Sequence, residues 1–216
     1  LRFYVETITE ESTPFAISEL TTLSVVKIGT DTIGDNVRFP TSLTKLKAWV
    51  LDGTFAMDSL KPLTRLQSLE IHAKNDPDDL SEMPFLTRLG VGCPPTSGFP
   101  TTLVWLDVRL SSDFDFSSLT RLTRLKVKMQ HGVRLVFPTQ LKELRIDEEW
   151  NLDESNIREV ALERLICRYT PIKQETLEQV PQTLRTISSS FDPPSLVERL
   201  TELFPLYEVD SERVFS

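Results

Sequence analysis

Groups that could act as nucleophile, base or metal ligand are scarce in this 216-residue chain, which holds His72, His131, Cys93 and Cys167 and no other histidine or cysteine. A cysteine nucleophile needs a base within hydrogen-bond reach, and His72 with Cys93 is the pair to weigh. Cys93 opens the turn sequence Cys93-Pro94-Pro95, which is expected to carry the thiol away from any strand face. Cys167 stands in an apolar pattern and is expected to be a small buried residue. The acidic runs Asp78-Asp79, Asp147-Glu148-Glu149 and Asp153-Glu154 lack the interleaved glycine and ligand spacing of a calcium loop. No phosphate-binding loop is present, and Gly90-Val-Gly92 is a strand fragment. The expectation is no catalytic residue, no metal and no cofactor, hence a binding protein rather than an enzyme.

What does recur is cationic, and seeing it requires the elements that carry it. Phe39-Pro-Thr-Ser-Leu43, Phe99-Pro-Thr-Thr-Leu103, Phe137-Pro-Thr-Gln-Leu141 and Val180-Pro-Gln-Thr-Leu184 are near copies of one segment. Leu63-Thr-Arg-Leu66, Phe85-Leu-Thr-Arg-Leu89 and Leu119-Thr-Arg-Leu-Thr-Arg-Leu125 vary a related theme between them. The pattern Leu-x-x-Leu-x-Leu, with Ile, Val, Ala or Cys allowed at its last two apolar places, begins at Leu23, Leu43, Leu66, Leu86, Leu103, Leu122, Leu141, Leu162 and Leu184. Successive offsets are 20, 23, 20, 17, 19, 19, 21 and 22 residues. Of the 27 apolar slots so defined, 26 are apolar and only Ser189 is not, where a 39% hydrophobic composition would fill about ten.

On these residues the chain resembles the leucine-rich-repeat family over roughly residues 16 to 190. The Phe-Pro-x-x-Leu segments look like the short Leu-Pro-x-x-Leu repeats of bacterial effector proteins and some protist repeat proteins. The resemblance implies a β-rich α/β solenoid, a horseshoe with one short parallel strand per repeat on its concave face and a mostly non-helical convex side. The repeats would span residues 1–190, with 1–15 as the N-terminal edge, where a tenth repeat would be cut, and 191–216 as a C-terminal cap of one structural domain. In that cap, Ser195-Leu-Val-Glu198 fits a helix capping box, and Leu196, Leu200, Leu203 and Phe204 share a helical face. Repeats this short leave room on the convex side only for extended segments and 3₁₀ turns, with helical turns confined to 153–160 and 173–180. The family's usual turn Asn or Cys is missing: Asp31, Leu51, Lys74, Pro94, Ser111, Gln130, Glu149 and Thr170 stand in its place, so irregular turns are expected.

Side chains alternate across a strand, so the third, fifth and seventh residues of each repeat are expected to face solvent. These 27 positions hold 11 Lys or Arg and 4 Asp or Glu, a net of +7. The whole chain has 24 basic and 32 acidic residues, which leaves 13 and 28, a net of −15, for everything else. Composition alone would put about three basic residues there. The acidic chain therefore conceals a basic face, densest at Arg109, Arg124, Lys126, Lys128, Arg145, Arg164 and Arg168, with Trp49 and Trp105 as aromatic anchors on the same strand positions. The alternative is that Lys and Arg merely cover apolar surface with their stems.

The function expected is a non-catalytic protein-interaction module or scaffold gripping an acidic or phosphorylated segment of another protein. A binder of RNA or phosphoinositide headgroups through the same face is the other reading, disfavoured by the acidic remainder and by having only two aromatics to stack on bases. No apolar run is long enough to cross a bilayer, so no membrane insertion is expected. Two cysteines and no Asn-x-Ser/Thr site point to a cytoplasmic, intracellular location, and strand-like alternation from Leu1 points to a piece of a longer polypeptide.

Overall fold

The computed structural model describes residues 2–5, 25–30, 38–50, 55, 57–73, 79–80, 83–95, 98–130, 132–147, 155–167 and 183–189, the backbone alone at 2–5, 25–30, 57 and 189. It is a β-rich parallel solenoid with almost no helix, in two compact units, Leu1–Val108 and Arg109–Ser216.

In the first unit β1 (Arg2–Val5), β2 (Val25–Thr30), β3 (Lys45–Val50), β4 (Ser68–His72), β5 (Arg88–Val91) and β6 (Trp105–Leu110) pair in chain order, every neighbour parallel. The last two residues of β6 belong to the second unit. There β8 (Arg124–Met129), β10 (Glu143–Ile146), β11 (Arg164–Cys167) and β12 (Thr186–Ser189) form a parallel ladder in the same manner. The expected strand appears in every repeat, and β1 adds the tenth at the N-terminal edge.

Period-two alternation makes the core. Leu46, Ala48 and Val50 on β3, Leu125, Val127 and Met129 on β8, and Leu144 and Ile146 on β10 are all buried. Such alternation gives each strand one apolar and one polar side, and stacking of successive repeats covers the apolar sides with one another. Behind them Phe55, Phe116 and Phe137 fill the interior, each 1% exposed or less.

One turn starts six of the repeats and explains why two different sequences serve it. The N–H of Leu43, Leu66, Leu86, Leu103, Leu122 and Leu141 donates to the carbonyl three residues earlier, on Pro40, Leu63, Met83, Pro100, Leu119 and Pro138. This turn takes only the carbonyl of that earlier residue, so proline is compatible with it, while Leu63, Met83 and Leu119 also donate their N–H, to Leu60, Leu80 and Phe116. Phe-Pro-x-x-Leu and Leu-Thr-Arg-Leu are thus the same device. In six rungs the next carbonyl accepts two successive N–H groups from the following rung, as Thr44 does from Gln67 and Ser68, and Thr123 from Lys142 and Glu143.

Side chains satisfy the backbone where rungs turn. The residue before the first leucine reaches to the previous repeat: Thr102 Oγ1 donates to the Leu86 carbonyl at 2.6 Å, Gln140 Nε2 to Leu119 at 2.8 Å and Thr183 Oγ1 to Leu162 at 2.8 Å. Asn156 does the work of a strand on the opposite side, accepting from Phe137 N at 2.7 Å and donating to Phe137 O at 2.9 Å. A second, two-stranded parallel sheet of β7 (Phe114–Asp115) and β9 (Leu135–Val136) also lies away from the main ladder, with Asp113 accepting from Arg134 N at its edge.

Among the described residues the helical segments are two 3₁₀ turns, Met57–Leu60 and Ile157–Glu159, the latter inside the expected 153–160 stretch. The expected 173–180 turn and the 191–216 cap lie outside the described residues.

Candidate partner-binding face

In the second unit the buried partners on β8, β10 and β11 leave Arg124, Lys126, Lys128, Glu143, Arg145, Arg164 and Ile166 on the solvent side. Register sets them in rows: Arg124 beside Glu143 beside Arg164, and Lys126 beside Arg145 beside Ile166. Asp147 N donates to Val127 O at 3.1 Å, the bond that follows the Ile146–Val127 pair in the ladder. Gln130 N makes the same bond to Leu110 O at 3.1 Å, which sets Met129 opposite Leu110 and therefore Lys128 opposite Arg109.

Charge on this face is structured. Arg145 Nε donates to Asp147 Oδ1 at 2.9 Å, and Lys126 Nζ lies 3.8 Å from Asp147 Oδ2. Asp147 is a correction to the expected face: alternation puts this seventh position toward solvent, yet it is only 7% exposed and serves as an internal counter-ion. Its carboxylate is a tolerable buried charge because two cations and a hydrogen bond surround it. Arg124 Nε stands 3.8 Å from Glu143 Oε2, an ion pair too long to be a hydrogen bond. Six described cations (Arg109, Arg124, Lys126, Lys128, Arg145, Arg164) against two carboxylates (Glu143, Asp147) leave a net of +4. Among the described residues Arg109 and Lys128 make no ion pair. Arg168 lies outside the described residues.

The two tryptophans belong to the first unit, where they stand three strands apart on β3 and β6. Trp49, 36% exposed, stacks on His72 with ring centroids 6.2 Å apart and 13° between planes. Lys47 Nζ sits 4.3 Å above the Trp49 ring and pairs with Glu70, which also meets His72 Nε2 at 3.1 Å. Burial alone would raise the Glu70 carboxyl, but hydrogen bonds and charge from His72 and Lys47 outweigh it and hold its pKa below the usual value. Trp105 takes the Arg88 guanidinium over its ring at 5.0 Å. Gly90 is a second correction, because it is buried rather than solvent-facing: Glu70 lies across it, so a Cβ there would meet Glu70 Cγ at 3.0 Å.

Glu70, Glu143 and Asp147 are the ion-pair partners of these cations, which repeats taken singly do not reveal. Their signal was available, since Lys47 and Glu70 are both fifth residues of consecutive repeats, and Arg124 and Glu143 both third. Cys93 is exposed and Cys167 buried, with no disulfide between them, while His131 lies outside the described residues. Among the described residues no helix is long and apolar enough to cross a membrane. No family model matches the sequence, and no curated protein matches it.

Proposed function

We propose that the chain is a leucine-rich-repeat-type, non-catalytic interaction module of the cell interior, whose strand face is the concave side of a horseshoe. The second unit's face takes an extended acidic segment of another protein. The observation that carries this reading is the surplus of four positive charges over the carboxylates built into that face. A stem-covering role for Lys and Arg would be served equally by Glu, yet the face's carboxylates are used as counter-ions. Asp147 holds Arg145 and Lys126 in place from beneath, so less side-chain freedom is lost when an acidic partner arrives. Such a field also speeds encounter, with a strong dependence on salt.

The test replaces Arg124, Lys126 and Lys128 with Glu and compares the variant with the parent by circular dichroism and by binding to an immobilised Asp/Glu-rich peptide library. An unchanged spectrum with binding lost, and parental binding that weakens as salt rises, is the expected result. A folded variant that binds as the parent does removes the second unit's face from consideration.

A further inference from the structure

The cations of the second unit's face are not equivalent. Arg124 shares its charge with Glu143, and Lys126 and Arg145 share one carboxylate, Asp147. Arg109 and Lys128 are side by side on neighbouring strands, where the Gln130–Leu110 bond sets them, and among the described residues neither has an ionic partner. Arg109 is exposed and Lys128 half-buried, so both heads reach solvent. Strands in a ladder are about 4.8 Å apart, close enough for two such side chains to converge on one group.

We propose that Arg109 and Lys128 form a subsite for a single phosphoryl group carried on the acidic segment, so that the module prefers phosphorylated partners. This rests on the acidic-segment reading of the same face. A side-chain carboxylate brings one negative charge and two oxygens, and either cation alone satisfies it. A phosphomonoester brings between one and two charges and three acceptor oxygens, which match a guanidinium fork taking two and an ammonium taking the third. Asp147, on the other side of Lys128, does not compete, because its oxygens are engaged by Arg145 and Lys126.

The experiment measures fluorescence anisotropy of three probes at about 150 mM salt, where exposed charges are screened beyond a Debye length. The probes are a degenerate Asp/Glu-rich nonapeptide library with a central phosphoserine, the same library with serine, and polyuridylate. The parent is expected to bind the phosphoserine library about tenfold more tightly than the serine library, one decade in Kd. In Arg109→Gln/Lys128→Gln serine-library binding weakens with the loss of two cations and phosphoserine-library binding weakens more, so that the preference falls to about twofold or less, whereas Arg124→Gln weakens both libraries alike and keeps the preference. Both libraries bound without a preference, or a preference that survives Arg109→Gln/Lys128→Gln, overturns the subsite and leaves the acidic-segment reading standing. Neither library bound overturns both, and polyuridylate bound more tightly than either library overturns both in favour of a nucleic-acid partner. These positions are solvent-accessible, and circular dichroism of each variant certifies its fold.

Discussion

Lys47 and Lys126 occupy the same place in their repeats, the fifth residue, on the same side of their ladders, yet their surroundings differ. Across the strand from Lys47 is Glu70, and the Trp49 ring lies beneath its ammonium. Across from Lys126 is Arg145, and the two share a single buried carboxylate set two residues further on. Around Lys47 in the first unit, cation, carboxylate and aromatic ring satisfy one another. In the second unit like charges are packed around too few acids, which costs stability unless a partner supplies the missing charge. The same strand scaffold thus yields an internally paired surface or an attractive one, according to which residue the neighbouring repeat brings into register.

The largest expected effect breaks the counter-ion on the second side. Arg145→Met leaves the Asp147 carboxylate buried with only a distant ammonium, and should cost about 2 kcal/mol, below the range for a fully buried pair because Arg145 is partly exposed. Urea denaturation measures it, and adding Asp147→Asn should recover most of the loss. The matching change on the first side, Lys47→Met, should cost about 0.5 kcal/mol or less, since Glu70 keeps His72 and lies nearer solvent. Equal losses at the two sites would erase the contrast between the faces.

Next comes the scaffold beneath the basic face. Asn156→Ala removes both side-chain bonds to the Phe137 backbone and should lower stability by about 1–2 kcal/mol. Amide hydrogen exchange should show the loss in the second unit, with protection of β3 to β5 unchanged.

The smallest effect concerns acid. Glu70 has its folded pKa below the ordinary 4.5, so its stabilisation is present above the unfolded value and is lost as pH falls through the folded one. Glu70→Gln should therefore lower the urea midpoint slightly at neutral pH, with the gap from the parent closing in strong acid. A gap that widens on acidification would mean that Glu70 is held protonated rather than ionised.

Much of this fold was legible in the residues themselves. Alternation such as Lys45-Leu-Lys-Ala-Trp-Val50 declares its buried and open sides, and the Phe-Pro-x-x-Leu spacing marks where each strand begins. What escaped was what lies between repeats. Repeats of 17 to 23 residues have backs of unequal length, so nothing local announces that Asn156 will meet Phe137 or that Phe114 and Leu135 will pair. Asp147 misled for a related reason: β10 ends at Ile146, and the residue after a strand's end turns with the chain instead of keeping the alternation. The basic face was visible as a count of charges, but its partition into paired and unpaired cations depends on cross-strand register.

The most direct test of the contrast between the faces is to titrate the isotopically labelled protein with an Asp/Glu-rich peptide and follow backbone amide shifts. Shifts concentrated on Arg124–Met129, Glu143–Asp147 and Arg164–Cys167, with Lys45–Val50 and Ser68–His72 unmoved, are the result the charge surplus predicts. Shifts confined to Lys45–Val50 and Ser68–His72, or none on either face, would contradict it.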